Sequence, residues 1–142
     1  MRALLDINVL IALLDQDHSM HRRATDWFRV QVEDGWASCP LTQNGCVRIM
    51  SNAGYRNPLP VPAVMARLRE AVADPHHAFW PDSVSLLDER VANASRIHGP
   101  RQLTDLYLLA LAVRHSGMLV TFDAGIVIGA VAGATAHHLL AL

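Results

Sequence analysis

Apolar residues along this chain fall into two kinds of segment: short continuous runs, and longer stretches with a helical period. RALLD (2–6) is short enough for a buried strand, and INVLIALL (7–14) follows it directly with the length and composition of a helix. In SMHRRATDWFRVQVE (19–33), Ala24, Trp27, Phe28 and Val32 lie close to one helical face. WASCP (36–40) is predicted as a short strand ended by Pro40. LTQNGCVRIMS (41–51) follows as a helix that tolerates Gly45, and GYRNPLPVP (54–62) is a loop dense in Gly and Pro.

The second half repeats the alternation. AVMARLREAVA (63–73) is predicted as a helix, HAFWP (77–81) as a short strand and SLLDERVANASRIH (85–98) as a further helix. The clearest helical segment is GPRQLTDLYLLALAVRHSG (99–117), with Thr104 as a plausible N-cap and Gly117 as a C-terminal stop. MLVTFD (118–123) is a second buried strand ending in an acid, and TAHHLLAL (135–142) is a candidate for a third. Short apolar strands alternating with helices imply an α/β fold, a central parallel sheet flanked by helices on both faces. Ligands in such sheets bind at the carboxyl ends of the strands. No repeat or linker divides residues 1–142, so a single domain is expected.

Three acids stand out on this map. Asp6 ends the first strand, Asp123 ends MLVTFD, and Asp105 occupies the first turn of the helix before that strand. Helices in parallel α/β units start near the carboxyl ends of strands, so topology converges all three on one rim. Each has a plainer explanation by itself: Asp6 as a helix cap, Asp105 as a first-turn acid facing the helix dipole, Asp123 as a turn residue. Together they call for more. Two carboxylates about 4 Å apart repel by about 4 kcal/mol at an effective dielectric of 20. Either protons are taken up or a cation sits between them. Oxygen ligands without His or Cys point to a hard ion, Mg2+ or Mn2+, which retains waters. Those waters can serve as the nucleophile for phosphodiester hydrolysis.

Composition narrows the chemistry. The net charge is -1, so the whole chain carries no basic footprint of a nucleic-acid binder. All 12 basic residues are arginines. The absence of lysine argues against phosphate-receiving signalling domains and haloacid-dehalogenase-like phosphotransferases, which normally place a lysine near the phosphoryl group. Asp6–Ile7–Asn8 also lacks the second acid of a DxD nucleophile motif. Cys39 and Cys46 form no CxxC pair and fit a reduced, cytoplasmic setting. The start has no clean signal-peptide pattern. The uncharged tail GIVIGAVAGATAHHLLAL (125–142) is of marginal length for a membrane span and carries His137–His138, so no membrane partner is expected. Neither His18 with His21 nor the pairs His76–His77 and His137–His138 has the spacing of a chelate, and all are expected at the surface.

LLDINVLIAL, CPLTQNGCVRIMS, LTDLYLLALAV and LVTFD, in this order and spacing, resemble the motifs of PIN-domain ribonucleases, in particular the VapC-type toxins of bacterial toxin–antitoxin pairs. The resemblance spans nearly the whole chain. It implies a metal-dependent endoribonuclease whose catalytic and metal-binding acids are Asp6, Asp105 and Asp123. Asn8 would orient the first acid, and Thr121 would stand near the metal or phosphate. It also implies an RNA substrate, an inhibiting antitoxin protein and a homodimer. One position departs from the family: its usual fourth acid falls within LTQNG, where Gln43 is the nearer match and Asn44 the other. An amide there brings no charge, which predicts weaker metal binding. It also sustains an alternative, a non-catalytic module that only binds RNA or a protein partner. Arg48 and Arg22–Arg23 are candidate phosphate contacts or ordinary surface charge.

Overall fold

A computed structural model describes all 142 residues. Five strands, β1 (Ala3–Leu5), β2 (Trp36–Ser38), β3 (His77–Phe79), β4 (Met118–Thr121) and β5 (Leu139–Ala141), form one sheet in the order β3-β2-β1-β4-β5. Every neighbouring pair is parallel. The expected α/β architecture is present.

The pleat sorts side chains between two cores. Ala3, Leu5, Trp36 and Val120 face one side of the sheet. There they pack with α1 (Ile7–Leu14), α3 (Pro40–Met50) and α4 (Val61–Val72), while Trp27 and Phe28 of α2 (His21–Gln31) pack against the same core. Leu4, Ala37 and Leu119 face the other side and are covered by α5 (Leu103–Arg114). Helix α5 is buried on most of its circumference, with Leu106 and Leu108 through Ala112 all buried. Its place against the middle of the sheet accounts for that.

Gly45 has a packing reason. A Cβ there would meet Ile7 Cδ1 at 2.5 Å, so glycine is what lets α3 cross closely over the start of α1. At Gly117 a Cβ would lie 2.6 Å from the Arg2 carbonyl oxygen and 2.6 Å from the Trp80 ring. The predicted stop is therefore a close-approach glycine. Ser116, at φ 53, takes the left-handed turn beyond α5.

Two predicted elements differ. Residues 85–98 form turns and a 3-10 turn at Ala94–Arg96, without an α-helix. Ser85, Asp88 and Asn93 hydrogen-bond to the backbone amides of Leu87, Arg90 and Ser95, the local competition that disfavours helix. Ala92 bridges Val131, and Asn93 donates to the Ala130 carbonyl, which pins the segment to the later chain. The long helix starts at Leu103, preceded by a 3-10 turn at Pro100–Gln102, so Thr104 lies inside it and Gln102 holds the N-cap position. The tail from Gly125 is made of turns, two 3-10 segments and β5, and no helix is long and apolar enough to cross a membrane.

Candidate active site

The chain runs β1, β2, β3 toward one edge and β4, β5 toward the other, so its order reverses between β1 and β4. A crevice is expected beyond the carboxyl ends of the strands at such a point. Asp6 follows the last residue of β1, and Thr121 ends β4.

Asp6 is 6% exposed, and its environment is specific. It caps α1, with Oδ1 accepting from the Ile7 amide at 2.7 Å. Its other oxygen, Oδ2, accepts from the fully buried Thr121 hydroxyl at 2.7 Å. Burial pushes the Asp6 carboxyl up. The Thr121 and Ile7 hydrogen bonds pull it down, and Asp123 adds a further upward push. The cap expected for Asp6 is thus real, and it accounts for only one of the two oxygens.

Thr121 is also an acceptor, at 3.1 Å from the Asp123 amide. Asp123 is exposed, and its Oδ1 accepts from Gly125 N at 2.7 Å in an Asx turn. Asp105, half-buried in the first turn of α5, faces both acids. Burial, then repulsion from Asp6 and Asp123, pushes its carboxyl up to about 6. Asp105 and Asp123 line one pocket of about 150 Å3 together with Arg101, Gln102, Leu106, Gly125, Ile126 and Val127.

No three His, Cys, Asp or Glu side chains close into a preformed cage. The donor set nevertheless suits a hard divalent ion: oxygen only, anionic, open on the pocket side. Mg2+ is commonly held by one or two carboxylates plus water and substrate oxygens, which needs no cage. A larger apolar cavity of about 420 Å3, lined by Leu10, Leu13, Phe28 and Trp36 among others, lies apart from these acids.

The sequence matches the PIN domain family over residues 3–131. The chain belongs to the PIN-domain family. It is 53% identical to Ribonuclease VapC44 of Mycobacterium tuberculosis over 142 residues, all of both chains. It is 42% identical to Ribonuclease VapC39 of the same organism over 134 residues, covering 94% of this chain and 96% of that protein. These matches place this PIN domain among the VapC proteins. A chain in the crystal structure of VapBC2 from Rickettsia felis bound to a DNA fragment from their promoter shares the fold. Its TM-score is 0.55 at 12% identity, covering 88% of this chain and 90% of that one.

Within this PIN domain the structure brings Asp6, Asp105, Asp123 and Thr121 together, and none of the other expected residues hydrogen-bonds to these acids. Asn8 is the second residue of α1, turned to solvent, and makes no hydrogen bond to Asp6. The orienting contact expected from it comes from Thr121 and the Ile7 amide. The Gln43 carboxamide donates to Ser38 Oγ at 2.9 Å, and Ser38 Oγ lies 2.8 Å from His77 Nε2. Gln43 thus belongs to a polar chain across β2 and β3, and Asn44 beside it is exposed. His77 is half-buried against Trp36, with ring centroids 4.4 Å apart, where a surface histidine was expected. His21 likewise ties α2 to α1 through the Ala12 carbonyl at 2.7 Å. Arg48 lines a different pocket with Ile49, Asn52, Gly54 and Tyr55, away from the acids. Arg101 is the cation that shares the acids' pocket. The sequence holds a signal for it: Arg101 precedes Asp105 by four residues, about one helical turn.

Proposed function

We propose that this chain is a metal-dependent endoribonuclease, the toxin of a toxin–antitoxin pair, hydrolysing RNA phosphodiester bonds in the cytoplasm. The observation that carries this is the gathering of Asp6, Asp105 and Asp123 at the sheet's reversal point, with the Asp105 carboxyl pushed up to about 6 by burial and by its two neighbours. The ribonuclease names of its VapC relatives support the same reaction. An antitoxin partner and a homodimer accompany this proposal.

Asp6, Asp105 and Asp123 would hold Mg2+ or Mn2+. When bound, such an ion supplies a water of lowered pKa and neutralises charge on the phosphate. The chain's own part is orientation. Thr121 and the Ile7 amide fix both oxygens of Asp6, and Gly125 fixes one oxygen of Asp123. Asp105 interacts with the Asp123 side chain, and burial together with Asp6 and Asp123 pushes its carboxyl up to about 6. Where the Asp105 carboxyl is protonated, it would give up that proton to hold a cation.

Cleavage of RNA by the purified chain with Mg2+ or Mn2+, lost with EDTA and in Asp6→Asn, is the expected result. A folded, metal-replete, antitoxin-free preparation that cuts no cellular RNA would favour the non-catalytic binding module.

A further inference from the structure

The pocket beside Asp105 and Asp123 has a feature the three acids leave unexplained. Arg101 lines it, and its guanidinium forms no ion pair and no hydrogen bond with any group of the protein. The chain's ion pairs involve Arg22, Arg29, Arg90 and His76 only. Arg2, Arg67 and Arg96 hydrogen-bond to backbone carbonyls, and of the arginines without a partner, Arg23, Arg48, Arg56, Arg69, Arg101 and Arg114, Arg101 is the one in the acids' pocket. An arginine lining a pocket with two carboxylates would be expected to pair with one, yet none lies within ion-pair distance.

Its backbone is well fixed. Arg101 sits in the 3-10 turn Pro100–Gln102, which runs directly into α5. Pro100 locks φ at the head of the turn. The Gln102 side chain accepts from the His98 amide at 2.8 Å and closes the loop before it. The guanidinium is therefore carried on a rigid base while its five donors stay free. Across the pocket, Leu106, Ile126 and Val127 supply an apolar wall.

Building on the nuclease proposal above, we propose that this pocket is the subsite for the nucleotide next to the scissile bond, with Arg101 binding its phosphate. A guanidinium meets two phosphate oxygens at once, which suits it to hold the backbone in register. An anionic strand entering an acidic pocket needs a cation there, and Arg101 is the one the chain provides. The apolar wall faces the sugar or base of the same nucleotide. Arg101 thus takes the part for which Arg48 and Arg22–Arg23 are candidates by sequence.

The test measures binding of a short fluorescent single-stranded RNA to the full chain in EDTA over a salt titration, then cleavage of the same RNA with Mn2+. Wild type is compared with Arg101→Ala, Arg101→Lys and, as a surface control, Arg114→Ala, exposed at the far end of α5. Arg101→Ala should bind about tenfold more weakly, as expected for loss of a charge-assisted contact. Its salt slope should fall by about 0.7, the value for one phosphate contact on a single strand. Arg101→Lys should keep the slope and recover part of the affinity. In cleavage, Arg101→Ala should raise KM with kcat little changed. If Arg101→Ala differs from wild type no more than Arg114→Ala does, the subsite is refuted, and cleavage by wild type would leave the nuclease proposal standing. If wild type binds with the Arg101 slope change but never cleaves, the nuclease proposal falls, and with it the placing of the subsite beside a scissile bond; only an RNA-phosphate contact at Arg101 remains. No RNA binding by wild type in EDTA refutes the subsite alone if the RNA is still cut in Mn2+, and absence of both binding and cleavage overturns both.

Discussion

The Thr121 hydroxyl donates to Asp6 Oδ2 at 2.7 Å across 115 residues of sequence, joining the carboxyl ends of the two strands where the sheet reverses. The same oxygen accepts the Asp123 amide at 3.1 Å. One buried hydroxyl therefore sets the position of two acids.

Thr121→Val keeps the shape and removes that hydroxyl. A buried carboxylate oxygen left without its donor costs about 1–3 kcal/mol. The Thr121 bond lowers the Asp6 pKa, so the variant's Asp6 rises further above its unfolded value. A carboxyl raised on folding destabilises at high pH and is relieved as pH falls through the folded pKa. Denaturant titrations of the metal-free protein should show the deficit of Thr121→Val in full at neutral pH and shrinking in acid. A deficit that does not vary with pH would refute this.

Asp105 gives the second pH signature. Its carboxyl titrates near 6 in the folded chain, against an ordinary value of 3.8. Below the ordinary value both states are protonated and the residue contributes nothing. Between there and about 6 its cost to folding grows, and above that it is complete. Asp105→Asn in EDTA should raise the melting temperature at pH above 7 by about 2–4 °C, a small gain because the open pocket screens the repulsion. That gain should vanish toward pH 4. Differential scanning fluorimetry over a pH series checks both halves.

Gln43→Glu adds the charge that the family places in this region. Mn2+ affinity by calorimetric titration should rise about tenfold, as expected for one added carboxylate acting through partly aqueous surroundings. Equal affinities would mean that the residue engaged with Ser38 lies outside the field of the site.

Gly117→Ala probes the opposite end of the sheet. The added methyl would meet the Arg2 backbone and the Trp80 ring, which cannot both move aside. A loss of about 1–3 kcal/mol is expected from overpacking. Below the melting transition, RNA cleavage should be unchanged, because the site sits at the carboxyl ends of β1 and β4 and Gly117 precedes β4. Chemical denaturation paired with an activity assay separates the two effects.

Much of this was legible in local pattern. The apolar run broken by Asp6 and the acid ending MLVTFD marked the two strand ends, because strand burial and a terminal charge are both local signals. The segment 85–98 misled because its apolar spacing looks helical, while Ser85, Asp88 and Asn93 bond to nearby amides and Ala92 pairs with Val131. The family motif implies Asn8 as the orienter of Asp6. The hydroxyl that does it was in view as Thr121, but its hydrogen bond to Asp6 is a contact between distant strands. Gln43 stood out by being an amide, yet its partners Ser38 and His77 depend on how β2 and β3 pair. Arg101 was hidden among 12 arginines, since only the fold shows which of them shares a pocket with the acids.

The strand order β3-β2-β1-β4-β5 also governs when the acids can meet in a growing chain. A ribosome that has delivered β1, β2 and β3 has made Asp6 and half of the sheet, but neither Thr121 nor Asp123. The buried carboxylate then waits without its long-range donor, and the acids cannot assemble. The three acids gather only after β4 docks beside β1, when residues 118–123 have emerged. The last third of the chain therefore decides when the cluster of acids exists at all.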